Sequence, residues 1–152
     1  RTNSEGIQCL YLASDEETTF HEVRARDNDH VSVGEFYQIK DLKIVDLSLF
    51  DKIGPFSIPD FDMTWFAINI DIIRKIGNEV AMPMRRFDRA LDYVPTQYIC
   101  DYVKHLGYDG IRYKSTLVEG GINYAIFDEK KFDCVRVKVV HIGNIHYEWK
   151  EL

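Results

Sequence analysis

The sequence predicts an α+β fold, and three observations carry that expectation. Apolar residues recur at helical spacing in two stretches, from Met63 to Ile73 and from Ile99 to Leu106. Strand-like segments fill the second half, ending in "CVRVKVV", where Val135, Val137 and Val139 alternate with Arg136 and Lys138. The elements follow no regular βαβ rhythm, and neither GxGxxG nor GxxxxGK[ST] occurs. That argues against a doubly wound sheet and against a Rossmann or P-loop nucleotide site.

Taken in order, residues 7–13, "IQCLYLA", read as a strand. Ser14 then stands where an N-cap belongs, and Glu17 three positions on completes a capping box. The spacing predicts a helix from about Asp15 to Arg26, with Phe20 and Val23 facing inward. "VSVGEFYQI" and "KIVDLS" are strand-like, and "DLSLFDKIGPFSIPDF", with two prolines, reads as an irregular connection. The next helix places Met63, Phe66, Ala67, Ile70 and Ile73 on one side, with Gly77 expected just past its end. "TQYICDYVKHLG" forms another, with Ile99, Val103 and Leu106 as its stripe and Gly107 as its stop. "DGIRY" and "INYAIFD" are strands joined by the glycine-containing loop "STLVEGG". "IGNI" is expected to turn the last strand into a hairpin with "IHYEW".

A chain of 152 residues, 45% apolar, is sized for one domain, 1–152. Its net charge of −6 disfavours direct nucleic-acid binding, which needs a basic surface. No apolar run approaches the roughly 20 residues that span a bilayer, so no membrane partner is expected. The opening "RTNSEG" lacks a methionine, and the natural N-terminus is expected to lie upstream. Three cysteines without CxxC spacing suit a reduced cytoplasmic protein. Nine Tyr, nine Phe and two Trp are expected to fill the core, and leave a homodimer interface open.

Chemistry has few candidates. The five histidines form no HExxH or CxxC…H pattern, so no metal site is expected. Cys9, Cys100 and Cys134 fall inside predicted elements, where thiols are usually buried and structural. Glu22, on its own, reads as a solvated helix residue. Arg26 is four positions on, a pairing worth only ~0.2–0.5 kcal/mol. Thr18 shares its helix face, and that face suits a polar cleft as well as bulk water. Ser115 precedes Gly120 and Gly121, which permit close approach of backbone to a ligand. Asn123 opens the following strand, a poor position for Asn by propensity.

Two stretches together resemble the RES family, named for an Arg, a Glu and a Ser. "RTNSEGIQCLYLASDEETTFHEV" is similar to the family's opening pattern of an Arg, Asn and Gly, then LYLA, then Thr and Glu on the next helix. "DYVPTQYICDYVKHLGYDGIRYKSTLVEGGINYAIFD" is similar to its closing pattern: a Tyr, a Thr-Gln helix, G-x-D-G-I-x-Y-x-S, then N-x-x-x-F. Position 116 is Thr where a second Ser is common, and residues of about 27–90 match loosely. Carried over, the named trio falls on Arg1, Glu22 and Ser115, the strand tyrosine on Tyr11, and the polar residue after the glycine loop on Asn123.

The resemblance implies a fold like that of ADP-ribosyltransferase toxins, two small, mostly antiparallel sheets around an NAD cleft, flanked by helices. It implies NAD⁺ as substrate and a toxin that breaks the nicotinamide–ribose bond by hydrolysis or by phosphorolysis with inorganic phosphate. The catalytic set would be Arg1, Tyr11, Glu22 and Ser115. Arg1, Tyr11, Thr18, Ser115 and Asn123 would hold the dinucleotide. The expected protein partner is a neutralising antitoxin or immunity protein, in a bacterial cytoplasm. A delivery module upstream of Arg1 would instead make the chain a secreted effector.

Two other readings remain at this point. A mono-ADP-ribosyltransferase would use the same site with a protein acceptor. Such enzymes often carry a second acid near the catalytic Glu, and Glu119 is a candidate, although an exposed loop Glu is the ordinary outcome. A catalytically inert binding module is opposed by the intact Arg–Glu–Ser set.

Overall fold

The computed structural model describes residues 9–49, 62–82 and 94–145. Arg1, the first two residues of the "IQCLYLA" segment, the bulk of the proline-containing connection (50–61) and residues 146–149 of "IHYEW" lie outside them.

The described elements are β1 (Leu10–Ala13), α1 (Glu16–Glu22), β2 (His30–Gln38), β3 (Ile44–Asp46), α2 (Met63–Ala81), α3 (Val94–His105), β4 (Gly110–Lys114), β5 (Ile122–Ile126) and β6 (Phe132–His141). Four strands form one sheet in the order β1-β5-β4-β3, and β2 pairs with β6 in a separate ribbon. All pairings are antiparallel except β3 with β4. The α+β expectation, with two small sheets and three helices, is met.

Strand periodicity sorts the larger sheet into two faces. Val45, Ile111, Ala125 and Tyr11 lie in one cross-strand row, and Tyr113, Asn123 and Ala13 in the next. At the β4 end this face is the core. Ile111 and Ala125 are fully buried and cluster with Leu47 and Tyr113 from the sheet side, and with Val80, Cys100 and Val103 from α2 and α3. At the β1 end the same face carries Tyr11 and Asn123. One continuous surface thus changes from packed core to site.

Several local expectations are corrected. Asp15, not Ser14, caps α1. Its carboxylate accepts the Thr18 N–H at 2.7 Å, while the Ser14 hydroxyl donates to Asp15 at 2.6 Å. Ser14 is held to the sheet by its own N–H on the Ile122 carbonyl, 2.9 Å, so the cap falls one residue later. The helix stops at Glu22, not Arg26, and Val23 is exposed. The inward residue is Thr18, which is fully buried. α2 runs through Gly77 to Ala81, because Val80 has a core position to fill and its burial extends the helix. Gly107 does stop α3, with φ +81°. Leu106 is nevertheless exposed, and the buried side of α3 is Thr96, Cys100 and Val103.

The last strand makes no hairpin through "IGNI" within the described residues. β2 offers it a longer ladder, from His30↔His141 to Gln38↔Phe132. Ile142 then exchanges backbone hydrogen bonds with Asn28 and Asp29. Val135, Val137 and Val139 share an exposed side, so alternation located the two faces and not which one turns inward. Cys134 is exposed and Cys9 half-buried, so only Cys100 meets the expectation of a buried thiol. Among the described residues no cluster of metal-ligating side chains occurs, and no helix is long and apolar enough to cross a membrane.

The opposite face of the sheet is tied by Arg112. Its Nη1 donates to Asp46 Oδ2 at 2.5 Å and Ser48 Oγ at 2.6 Å, and its Nε to the Tyr124 hydroxyl at 3.3 Å. Partial burial raises the Asp46 carboxyl, but hydrogen bonds from Ser48 and Arg112 outweigh it and hold the group below its ordinary 3.8. A carboxyl depressed on folding stabilises the fold above its unfolded pKa, and that contribution disappears as pH falls through the folded value. Chemical denaturation between about pH 6 and 2 is therefore expected to show less acid-dependent loss in Asp46→Asn than in the parent chain. Equal slopes would show that Asp46 is not coupled to folding.

Candidate active site

Between α1, the β1 end of the sheet and the β2–β6 ribbon lies a cleft of about 820 Å³. That is within the usual range of ligand sites, ~300–1,000 Å³. Tyr11, Glu22, Asn123 and Tyr113 line it from the sheet and helix side, and Glu35, Phe36 and Arg136 from the ribbon. The Lys138 ammonium on β6 meets Glu16 on α1 at 2.5 Å and joins the two walls.

Glu22 lines the cleft. Its Oε1 accepts from the Asn123 amide at 2.6 Å and from the Ser115 hydroxyl at 3.0 Å. These partners lie 101 and 93 residues away in sequence. Arg26, the expected local partner, is beyond the end of α1, where i,i+4 geometry no longer applies. Among the described residues nothing hydrogen-bonds Oε2. The carboxylate is therefore oriented through one oxygen, with no described residue on the other.

Each partner is itself positioned. Asn123 is buried on β5, paired with Tyr113 and Ala13 across the ladder, and its amide needs a partner there. Glu22 supplies one. Ser115 leaves β4 into the loop, where its N–H donates to the Gly121 carbonyl at 2.8 Å and its Oγ accepts the Leu117 N–H at 3.1 Å. Gly121 is buried against Thr18: a Cβ there would lie 2.6 Å from Thr18 Oγ1 and 3.2 Å from Ser115 Cβ. Only glycine lets the loop close onto α1 so tightly. Thr18 supports the site from beneath and does not line the cleft. Its hydroxyl donates to Asp15 at 2.9 Å. Hydrogen bonds from the Ser14 hydroxyl and from the backbone and hydroxyl of Thr18 hold the Asp15 carboxyl below its ordinary value.

The structure thus brings Tyr11, Glu22 and Asn123 to the cleft wall, with Ser115 bonded to Glu22 and, like Thr18, not lining the cleft. Arg1 lies outside the described residues. Glu119 is exposed on the loop and does not line the cleft. Sequence reasoning did not single out the ribbon wall or Arg24. Its one signal was the Arg136/Lys138 alternation, which marks a polar face without showing what that face opposes.

The α+β chain thus holds a carboxylate between a loop serine and a strand asparagine at the edge of an open cleft. The chain belongs to the RES domain family, whose model matches residues 1–150. This family is associated with NAD-acting enzymes of toxin–antitoxin type. No curated protein and no solved structure matches the chain.

Proposed function

We propose that this domain cleaves the nicotinamide–ribose bond of NAD⁺ and so depletes it. The observation that carries this reading is the Glu22 carboxylate on the cleft wall, held on Oε1 by Ser115 and Asn123 with no described residue bonded to Oε2, in a RES domain. In the reaction the C–N bond breaks, and its electron pair passes to the pyridinium nitrogen. Neutral nicotinamide leaves, and the ribose carbon becomes oxocarbenium-like, as in glycoside cleavage. The leaving group already carries positive charge and needs little acid. What the site must supply is negative charge beside the developing cation and a fixed ribose conformation. Glu22 Oε2 provides both, by its charge and by accepting from ribose hydroxyls. Tyr11, partly exposed on the cleft wall, offers an aromatic face to nicotinamide. Arg1 suits the pyrophosphate as a bidentate donor. Water or inorganic phosphate then attacks the ribose carbon, and the attacking oxygen loses its proton to solvent. A neutralising partner would act by covering this cleft.

The test is NAD⁺ incubated with the protein, with and without phosphate, and resolved by chromatography. Free nicotinamide with ADP-ribose supports hydrolysis, and the phosphorylated product supports phosphorolysis. Labelled ADP-ribose transferred to protein in a lysate would replace this reading with a transferase. Intact NAD⁺ in both assays would overturn it.

A further inference from the structure

Arg24 occupies an unfavourable backbone position. It follows the α1 C-cap Val23, with its N–H on the His21 carbonyl at 3.1 Å, while the Ala25 N–H returns to the Phe20 carbonyl at 3.0 Å. That pattern closes a helix with a left-handed residue, a place where glycine is favoured. Arg24 adopts it at φ +54°. Strain of this kind persists only where the surrounding structure holds it, and it clusters at active sites and ligand clamps. The Arg24 side chain lines the cleft, two residues beyond Glu22. Among the described residues its guanidinium has no ion-pair or hydrogen-bond partner.

A second arginine without a partner among the described residues, Arg136, lines the same space. Arg136 lies on β6 two residues before Lys138, so both point to one side of the ribbon. The Lys138–Glu16 ion pair shows that this side faces α1. The ladder shifts register between Glu35 and Phe36, making Val135 the extra residue beside Arg136, an irregularity of the kind that re-aims side chains. Arg136 stands opposite Glu35 in the register, yet the two form no ion pair. Lys138 is neutralised by Glu16, whereas Arg24 and Arg136 are not neutralised by any described residue.

We infer that Arg24 and Arg136 form a phosphoryl-anion subsite of the cleft, one arginine from each wall. Two guanidinium groups without a partner among the described residues suit an anion with several acceptor oxygens. On the proposed reading of the cleft, on which its occupant rests, that anion is the pyrophosphate of the dinucleotide. Free phosphate serving as acceptor has the same chemistry. Glu35 opposes any anion there, so its removal should tighten binding.

The experiment is calorimetric titration of the full chain with ADP-ribose, inorganic pyrophosphate and inorganic phosphate separately. The variants are Arg24→Gly, Arg136→Gln and Glu35→Gln, with thermal unfolding of each. Arg24→Gly should raise the melting temperature while weakening pyrophosphate and ADP-ribose binding about tenfold or more. Arg136→Gln should weaken both similarly, and Glu35→Gln should strengthen them. Loss confined to inorganic phosphate keeps the subsite and assigns it to the acceptor. Unchanged affinities in both arginine variants, or no binding of any of the three by the parent chain, would overturn the subsite. NAD⁺ turnover separates the two readings. Glu22-dependent turnover with unaltered arginine variants would sink the subsite alone. Arginine-dependent pyrophosphate binding without turnover would retain the subsite and sink the NAD⁺ reading.

Discussion

Glu22→Gln is expected to reduce NAD⁺ turnover by about 10²–10³-fold, on the order of 3–4 kcal/mol of transition-state stabilisation. The substitution isolates charge from geometry. A glutamine side-chain oxygen can still accept from Ser115 and Asn123, as Oε1 does at 3.0 and 2.6 Å. Melting temperature is therefore expected to stay near that of the parent chain while kcat falls, and KM rises because the amide NH2 in the Oε2 place no longer accepts from ribose hydroxyls. Glu22→Ala would not make this distinction, since it also leaves the buried Asn123 amide without its partner, a loss of about 1–3 kcal/mol. Full turnover by a folded Glu22→Gln protein would remove Glu22 from the chemistry.

The second large effect is expected at Gly121. An added methyl group in Gly121→Ala would lie 2.6 Å from Thr18 Oγ1 and 3.2 Å from both Thr18 Cγ2 and Ser115 Cβ. Thr18 cannot readily yield, because it is fully buried and hydrogen-bonded to Asp15. The loop must yield instead, at a cost of about 1–3 kcal/mol. Since the Gly121 carbonyl accepts the Ser115 N–H, movement there carries Ser115 away from Glu22. Misplacement of this size lowers kcat by roughly tenfold to a hundredfold. Thr18→Ala in the same chain should restore part of both losses by making room. Gly120→Ala is the control: it meets no atom within 4 Å, so only its φ of +78° opposes the change. Stability would fall there without the same loss of rate. If Gly121→Ala keeps full activity and stability, the close loop-to-helix contact is not required.

The RES motifs connect Glu22 and Ser115 in a single reading before any coordinates are considered, and the strand-like runs "IQCLYLA" and "INYAIFD" place Tyr11 and Asn123 on strands. Local patterns alone pointed elsewhere for Glu22. On a helix wheel it is a solvated residue with Arg26 one turn away, because a wheel records the side of a helix and not what stands beyond it. The amphipathic pattern from Met63 to Ile73 located a helix but stopped it at Gly77, since the core place for Val80 belongs to α3 and the sheet. "CVRVKVV" was legible as a strand with two faces. Its partner was not legible, because β2 lies about a hundred residues earlier.

What the sequence determined by itself is the α+β class, the stop of α3 at Gly107 and the family with its Glu–Ser pair. These depend on local spacing, backbone preference and motif order, all written within short windows. Only the tertiary structure decided that Asn123 joins Ser115 on one oxygen of Glu22, that Thr18 lies beneath the site, and that Arg24 and Arg136 share the cleft. Each depends on contacts between segments far apart in the chain, where side-chain direction is set by sheet register and by the packing of helix against loop.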